Sequence, residues 1–117
     1  MNLEQLQAIC LKFKGTTEGI KWEEHLCFMV GDKIFCISSM DEACHVALKV
    51  SEEDFDELTE REGIVQAAHF AKRQWVGIQQ WHALKPKEWE IYLHKSYELV
   101  KRKLTKKKQM EIDSNQP

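Results

Sequence analysis

The chain has 117 residues, of which 43% are hydrophobic and 31% charged, and its formal net charge is −2. These values are typical of one soluble globular domain and exclude a collagen-like or wholly disordered chain. The longest uninterrupted apolar stretch, residues 26–30, is too short to span a membrane. Residues 1–20 carry no signal-peptide pattern, so we expect a cytoplasmic protein with no membrane partner.

The small net charge conceals an uneven distribution along the chain. Residues 1–70 hold six Lys/Arg and fourteen Asp/Glu, whereas residues 71–117 hold eleven and five. The first part therefore carries −8 and the second part +6. Such segregation leaves room for a basic face that contacts anions, although charges also cluster on helix faces for solubility alone.

A helix and a hairpin are the first elements predicted in chain order. Apolar residues recur at helical spacing from Leu3 to Phe13, with Asn2 suited to cap this helix and Gly15 to end it. Residues 16–25 form a polar connector with room for a short strand near residues 20–22. Residues 26–30 and 33–38 are strand-like and flank Gly31-Asp32, a pair suited to a two-residue hairpin turn.

A regular hairpin would fix the register of these two strands. Val30 would then face Lys33, and Cys27 would face Cys36. The predicted core face of the hairpin comprises Leu26, Phe28, Val30, Phe35 and Ile37. The opposite face would hold His25, Cys27 and Cys36, three possible metal ligands. The four cysteines form no Cys-x-x-Cys pair, and half-buried cysteines behave as small apolar residues, so we predict free thiols and no metal site.

The middle of the chain predicts a strand, a helix and a further strand. Residues 45–50 alternate, with Val46, Leu48 and Val50 inward. Ser51 is suited to cap a helix that buries Phe55 and Leu58 and ends at Gly63. Residues 64–72 are ambiguous. Residues 73–81 favour a strand with Val76 and Ile78 on one face and the following residues on the other: Arg73, Trp75, Gln79 and Trp81.

The last predicted helix has the strongest pattern. Pro86 suits its first position, and a continuous apolar stripe runs from Trp89 to Leu104. Residues 101–108 hold six basic residues in eight, at what would be the helix C-terminus, where the macrodipole favours cations. We expect one domain over residues 1–108 and a disordered tail over residues 109–117. Consecutive strands joined by short turns are antiparallel, so the fold class is α+β: an antiparallel sheet with helices packed on it.

Sequence motifs for catalysis and cofactor binding are not found. The chain has no phosphate-binding loop, dinucleotide fingerprint, nucleophile elbow or His-Glu-x-x-His. We therefore expect a protein that is not an enzyme and needs no cofactor. Trp75 beside Lys72 and Arg73 offers a ring and two cations, as a nucleic-acid surface requires. The alternative is a tryptophan packed under the C-terminal helix beside two solvated cations, and the basic run 101–108 has a similar alternative, a solvated helix end.

Several short segments, in this order and spacing, resemble the MmcQ/YjbR family over about residues 2–108. The segments are His25-x-x-Phe28, residues 31–35 with Lys33, residues 46–50 with Leu48-Lys49, residues 68–76 with His69, Lys72 and Trp75, Ser96-Tyr97 with residues 98–100, and residues 104–107. The resemblance implies a compact α+β fold similar to type III secretion chaperones and to a double-wing DNA-binding arrangement. It also implies DNA binding, because members of this family are commonly described as DNA-binding proteins.

The leading hypothesis is therefore a monomeric, non-enzymatic protein that binds duplex DNA. Carried over by position, the contact residues are Lys33, Lys49, His69, Lys72, Arg73 and Trp75. The first alternative is a protein-interaction or chaperone-like module that binds a peptide or partner protein through its sheet. The second is a small-ligand pocket lined by His25, His69 and Trp75. Uncompensated cations on the motif face would favour an anion, and an exposed apolar groove would favour a partner.

Overall fold

The computed structural model describes residues 1–41 and 43–114, which form an antiparallel sheet and four α-helices. The elements in chain order are α1 (Leu3–Leu11), β1 (Thr16–Lys21), β2 (His25–Val30), β3 (Lys33–Ser39), β4 (Val46–Lys49), α2 (Glu52–Leu58), β5 (Ile64–Gln66), β6 (Trp75–Ile78), a 3₁₀ turn (Trp81–Ala83), α3 (Pro86–Lys101) and α4 (Lys106–Ser114). The strand order in the sheet is β1-β2-β3-β4-β6-β5. The predicted fold class, an antiparallel sheet with helices packed on it, is confirmed.

The two faces of the sheet differ in what covers them. The buried apolar residues of all four helices belong to one core cluster, together with Phe28, Leu48 and Val76 from the sheet. The other face, here called the open face, carries a cross-strand row that runs through all six strands. This row comprises Gly19, Cys27, Ile37, Ala47, Gly77 and Val65. No helix of the described residues is long and apolar enough to cross a bilayer.

A β-bulge in the hairpin changes the predicted register. Gly31 and Asp32 both have positive φ, 56° and 66°, as a primed turn requires. Val30 faces Lys33 as predicted, but the pairing shifts after Met29 and Ile34, so that Phe28 faces Cys36. The extra residue in β3 is Phe35. A bulge inserts one residue and leaves the strands out of step beyond it.

The shift overturns two predictions about the hairpin faces. Cys27 lies opposite Ile37 rather than Cys36. Ile37, predicted for the core face, lies in the open-face row beside Cys27, which was predicted there. Cys36 is in the core, where the Cys10 thiol and burial raise its pKa well above the ordinary value. The three possible metal ligands are therefore not brought together. All four cysteines are free thiols, as the sequence predicts.

Ser96 of α3 connects the helix layer to the sheet at the bulge. Its hydroxyl donates a hydrogen bond to the Phe35 carbonyl oxygen at 2.5 Å and accepts one from the Lys49 backbone N–H at 2.9 Å. The side chain is fully buried. It therefore bridges β3 and β4 just beyond the last pair of their ladder, Cys36 with Leu48, and it holds the Lys49 backbone in place.

The strand predicted over residues 73–81 is shorter in the structure. β6 begins at Trp75, because Arg73 has a positive φ of 62°, and it ends at Ile78. Trp81 lies in the 3₁₀ turn and packs on the Trp89 ring at 5.5 Å, rather than facing outward from a strand. The ambiguous stretch 64–72 contains the edge strand β5, and the polar connector contains the six-residue strand β1.

The C-terminal prediction differs from the structure. α3 ends at Lys101, and α4 begins at Lys106 after Thr105, whose hydroxyl accepts the Lys108 N–H at 3.1 Å. Part of the predicted disordered tail, residues 109–114, is therefore helical, and residues 115–117 lie outside the described residues. α4 is held by the buried Ile112, which packs on Gly15, and by an ion pair between Lys101 and Asp113.

The bulge residue gives a first prediction. Phe35 is fully buried in the core, so Phe35→Ala should lower the free energy of unfolding by about 3–5 kcal/mol. Ile91→Ala, at a half-exposed helix position, should change it by less than about 0.5 kcal/mol. Chemical denaturation of both variants provides the measurement. An unchanged midpoint for Phe35→Ala would contradict the placement of this ring in the core.

The Ser96 bridge gives a second prediction. Ser96→Ala leaves a buried carbonyl oxygen and a buried N–H without their partner, which should cost about 1–3 kcal/mol of unfolding free energy. Ser114→Ala removes a hydroxyl from an exposed position and serves as the matched control. Equal stabilities of the two variants would show that the bridge is not needed to join β3 and β4.

Candidate nucleic-acid interface

Four lysines lie at one end of the sheet, which we call the basic end: Lys33, Lys49, Lys72 and Lys103. Lys33 begins β3 directly after the hairpin turn, and Lys49 ends the antiparallel neighbour β4. Lys49 faces Trp75, and the Val50 N–H donates to the Gln74 carbonyl at 2.9 Å. The loop that carries Lys72 therefore leaves the sheet at this same end.

Lys103 reaches the basic end through the turn between α3 and α4. The next residue, Leu104, packs so closely on the hairpin turn that a Cβ atom at Gly31 would lie 2.6 Å from its Cδ1 atom. This contact places the Lys103 turn beside Lys33 and Lys49. In the sequence, Lys103 is one of the basic residues of the run 101–108 and is not singled out. Its place beside Lys33 and Lys49 depends on where α3 ends and on the packing of Leu104 against Gly31.

Lys49 and Lys103 are neighbours, and neither forms an ion pair with a carboxylate of the described residues. Desolvation lowers the pKa of Lys49 below its ordinary value, and the neighbouring Lys103 ammonium group lowers it further. Within the described part of the chain, the four lysines of the basic end form no ion pair; the ion pairs lie elsewhere. An anion between the two ammonium groups would relieve their repulsion.

Arg73, also predicted to contact DNA, differs because it has a partner. Its guanidinium pairs with Asp56 at 3.0 Å, and both side chains are more than half exposed. Its backbone N–H donates to the Gln66 side chain at 2.8 Å. An exposed pair of this kind contributes at most about 1 kcal/mol, so Arg73 is compensated at rest and can still exchange its carboxylate for another anion.

Trp75 lies on the open face, but its ring is occupied. It is 9% exposed and stacks on Phe70, with ring centroids 4.4 Å apart and planes 27° apart. The ring therefore packs within the protein, as the alternative interpretation held, although it packs against Phe70 rather than under the C-terminal helix. His69, the sixth predicted contact residue, is exposed in the loop before β6, with a positive φ of 68°.

A cavity of about 640 Å³ opens on the open face beside this aromatic pair. Ala47 and Gly77 belong to its lining, with Trp22, His25 and Phe70 around them, and His45 and His69 also contribute. Two of the three residues of the predicted small-ligand pocket, His25 and His69, are thus brought together. Trp75 does not line the cavity but supports Phe70 from behind. No Asp, Glu, Lys or Arg is among its lining residues.

Two solved structures share this fold. One is a Deinococcus radiodurans protein with a DUF419 domain: it has a TM-score of 0.85 and 24% identity, and the match covers 95% of this chain and 87% of that chain. The other is a Pseudomonas syringae protein with a TM-score of 0.71 and 22% identity, for which the match covers 86% and 99%. At these identities the likeness concerns the fold alone. The chain is thus an α+β protein of the fold that these structures define.

The family follows from a separate comparison. The family model described as YjbR matches residues 11–99, which is more than half of the chain. The protein therefore belongs to the YjbR family, as the resemblance of its motifs predicts. A comparison with curated proteins yields no match.

The lysine pair gives a third prediction. Lys103→Met removes the neighbouring positive charge, so the pKa of Lys49 should rise. It should stay below its ordinary value, because desolvation is the larger cause of the shift. NMR titration of the Lys49 ammonium group measures this. Lys107→Met, at an exposed position in α4, is the control; an equal response to both changes would contradict the proximity of Lys103.

Proposed function

We propose that this protein is a non-enzymatic nucleic-acid-binding protein that holds backbone phosphates at the basic end. The observation that carries the proposal is that the strand register and the packing of Leu104 on Gly31 place the four lysines at one end of the sheet, where they form no ion pair among the described residues. A nucleic acid presents a row of backbone phosphates, and lysines that neutralise these phosphates release counterions from the nucleic acid. Lys33 and Lys72 extend this site along the end of the sheet.

The proposal revises the contact set that the resemblance implies. Lys33, Lys49 and Lys72 stay in it, and Lys103 joins them. Trp75 instead holds its part of the sheet rigid through the Phe70 stack, and Arg73 contributes only when it leaves Asp56. Phosphate contacts of this kind fix position and affinity but carry no sequence information, so the basic end alone favours sequence-independent binding.

A protein-interaction module is the second candidate. The cavity on the open face supports it, because Trp22 is 68% exposed and Val65 of the edge strand β5 is 42% exposed. Exposed apolar side chains around a concavity are typical of sites that bind a partner or ligand. The cavity and the basic end lie on the same sheet, so an occupant of one is close to the other.

Salt dependence tests the phosphate site. Four lysine–phosphate contacts, each contributing about −0.9, should give a slope of log affinity against log salt near −3 to −4 for duplex DNA. The double variant Lys49→Gln/Lys103→Gln should weaken binding and flatten the slope by nearly 2 units, because two contacts are lost. Fluorescence anisotropy over a salt series measures both quantities.

The control for this test removes the same charge from a different place. Lys106→Gln/Lys107→Gln neutralises two exposed lysines in the first turn of α4 and should leave the slope nearly unchanged. If this control weakens binding while the variant at Lys49 and Lys103 does not, the basic run of α4 causes the binding and the basic end is not the site.

A further inference from the structure

We propose that the cavity on the open face accepts an unstacked nucleobase, so that the protein prefers single-stranded nucleic acid to duplex. This inference rests on the proposed phosphate site and names its substrate class. The cavity volume of about 640 Å³ lies within the range of small-molecule sites. Its lining includes the small residues Ala47 and Gly77, neighbours in the cross-strand row, which let a planar group approach the sheet closely.

Aromatic rings surround this part of the sheet. The Trp22 ring meets the His25 ring edge-on, with centroids 6.1 Å apart, and Phe70 is held by its stack on Trp75. Stacking on aromatic side chains is the usual way in which proteins hold an unpaired base, and it tolerates every base because each has a π-face. The rings are thus suited to a flat aromatic occupant.

The polar groups of the cavity match the edge of a base. His25 Nδ1 is buried and has no hydrogen-bond partner among the described residues, so it is available to a polar group of an occupant. His45, His69 and Gln79 add further polar atoms to the lining. Among residues 1–41 and 43–114, no charged Asp, Glu, Lys or Arg lines the cavity, which favours a neutral occupant, such as a nucleobase, over a phosphate.

The cavity is placed correctly relative to the phosphate site. Lys49 follows Ala47 by two residues on the same strand, a separation of roughly 7 Å. On the neighbouring strand, Trp75 lies directly opposite Lys49, and its ring stacks on Phe70 of the cavity lining. A strand whose phosphate meets Lys49 can therefore place a nearby base in the cavity. Bases in a duplex are paired and stacked, so they reach such a cavity only at the cost of being unpaired.

The experiment compares three ligands on the same protein: an oligothymidine, an abasic oligomer of equal length and charge, and a duplex. Fluorescence anisotropy at fixed salt should show that oligothymidine binds about five-fold to one-hundred-fold more tightly than the abasic oligomer, as expected for stacking of one base. It should also bind more tightly than duplex of equal length. Equal affinity for the oligothymidine and the abasic oligomer would overturn the inference.

Two valine variants test the cavity itself. A Cβ atom at Gly77 would meet Ala67 Cα at 3.5 Å, an ordinary contact, so Gly77→Val can fold while it fills the cavity. Gly19→Val introduces the same side chain in the same row outside the cavity lining, where only Met29 lies near. Gly77→Val should abolish the preference for oligothymidine and leave abasic binding unchanged, whereas Gly19→Val should change neither.

The outcomes distinguish the inference from the proposed function. If Gly77→Val keeps the preference for oligothymidine, the base does not occupy the cavity, although the phosphate site stands. If Gly77→Val does not fold, Trp22→Ala at an exposed position takes its place, and a retained preference in that variant leads to the same conclusion. If no oligomer binds, or if binding ignores Lys49→Gln/Lys103→Gln, the phosphate site itself fails and the inference fails with it. A melting temperature for each variant establishes that it is folded.

Discussion

The hydroxyl group of Ser96 is the contact on which the arrangement of the sheet depends. The bulge at Phe35 lies in the pairing of β2 with β3, and the β3–β4 ladder ends beside it at Cys36 and Leu48; Ser96 of α3 bridges the next two residues, Phe35 and Lys49. It thereby holds the strands in the register that aligns Cys36 with Leu48 inside the core. The same register turns Ile37 and Ala47 toward the open face and leaves Lys49 at the strand end. Both candidate sites therefore depend on one buried serine.

Elements with local signals could be predicted from the sequence, and those that depend on tertiary contacts could not. The hairpin turn at Gly31-Asp32, the Ser51 cap and the stripe of α3 are local, and all three are present. The bulge has no local sequence signal, because the side chains of residues 33–38 fit the hairpin with or without it. A register slip of one residue exchanges the side chains of the core face and the open face. α4 escaped prediction because Ile112, its only buried residue among those described, gains its partner Gly15 from the other end of the chain.

The candidate site shows the same division. Lys33, Lys49 and Lys72 were predicted as contact residues through the family resemblance, and in the part of the chain that the structure describes they form no ion pair. Lys103 could not be singled out within the basic run, since its position depends on the end of α3 and on Leu104 packing against Gly31. Trp75 has the sequence context of a binding residue, because Lys72 and Arg73 precede it. Its ring instead stacks on Phe70, five positions earlier. An aromatic residue flanked by cations predicts a binding surface. Whether its ring is exposed depends on how the neighbouring side chains pack.

The distribution of ion pairs explains how a net acidic chain can offer a site for a polyanion. The carboxylates that form ion pairs with Lys or Arg do so away from the lysines of the basic end: Glu88 with Arg61, Asp54 with Lys95, Asp56 with Arg73, Asp113 with Lys101 and Glu111 with Lys108. Among the described residues, the lysines of the basic end take part in no such pair. Because the net charge is only −2, the long-range field neither attracts nor strongly repels nucleic acid. In the function proposed above, affinity would come from contacts made within a Debye length, about 8–10 Å at physiological salt, and the proposed base in the neighbouring cavity would supplement the proposed phosphate contacts.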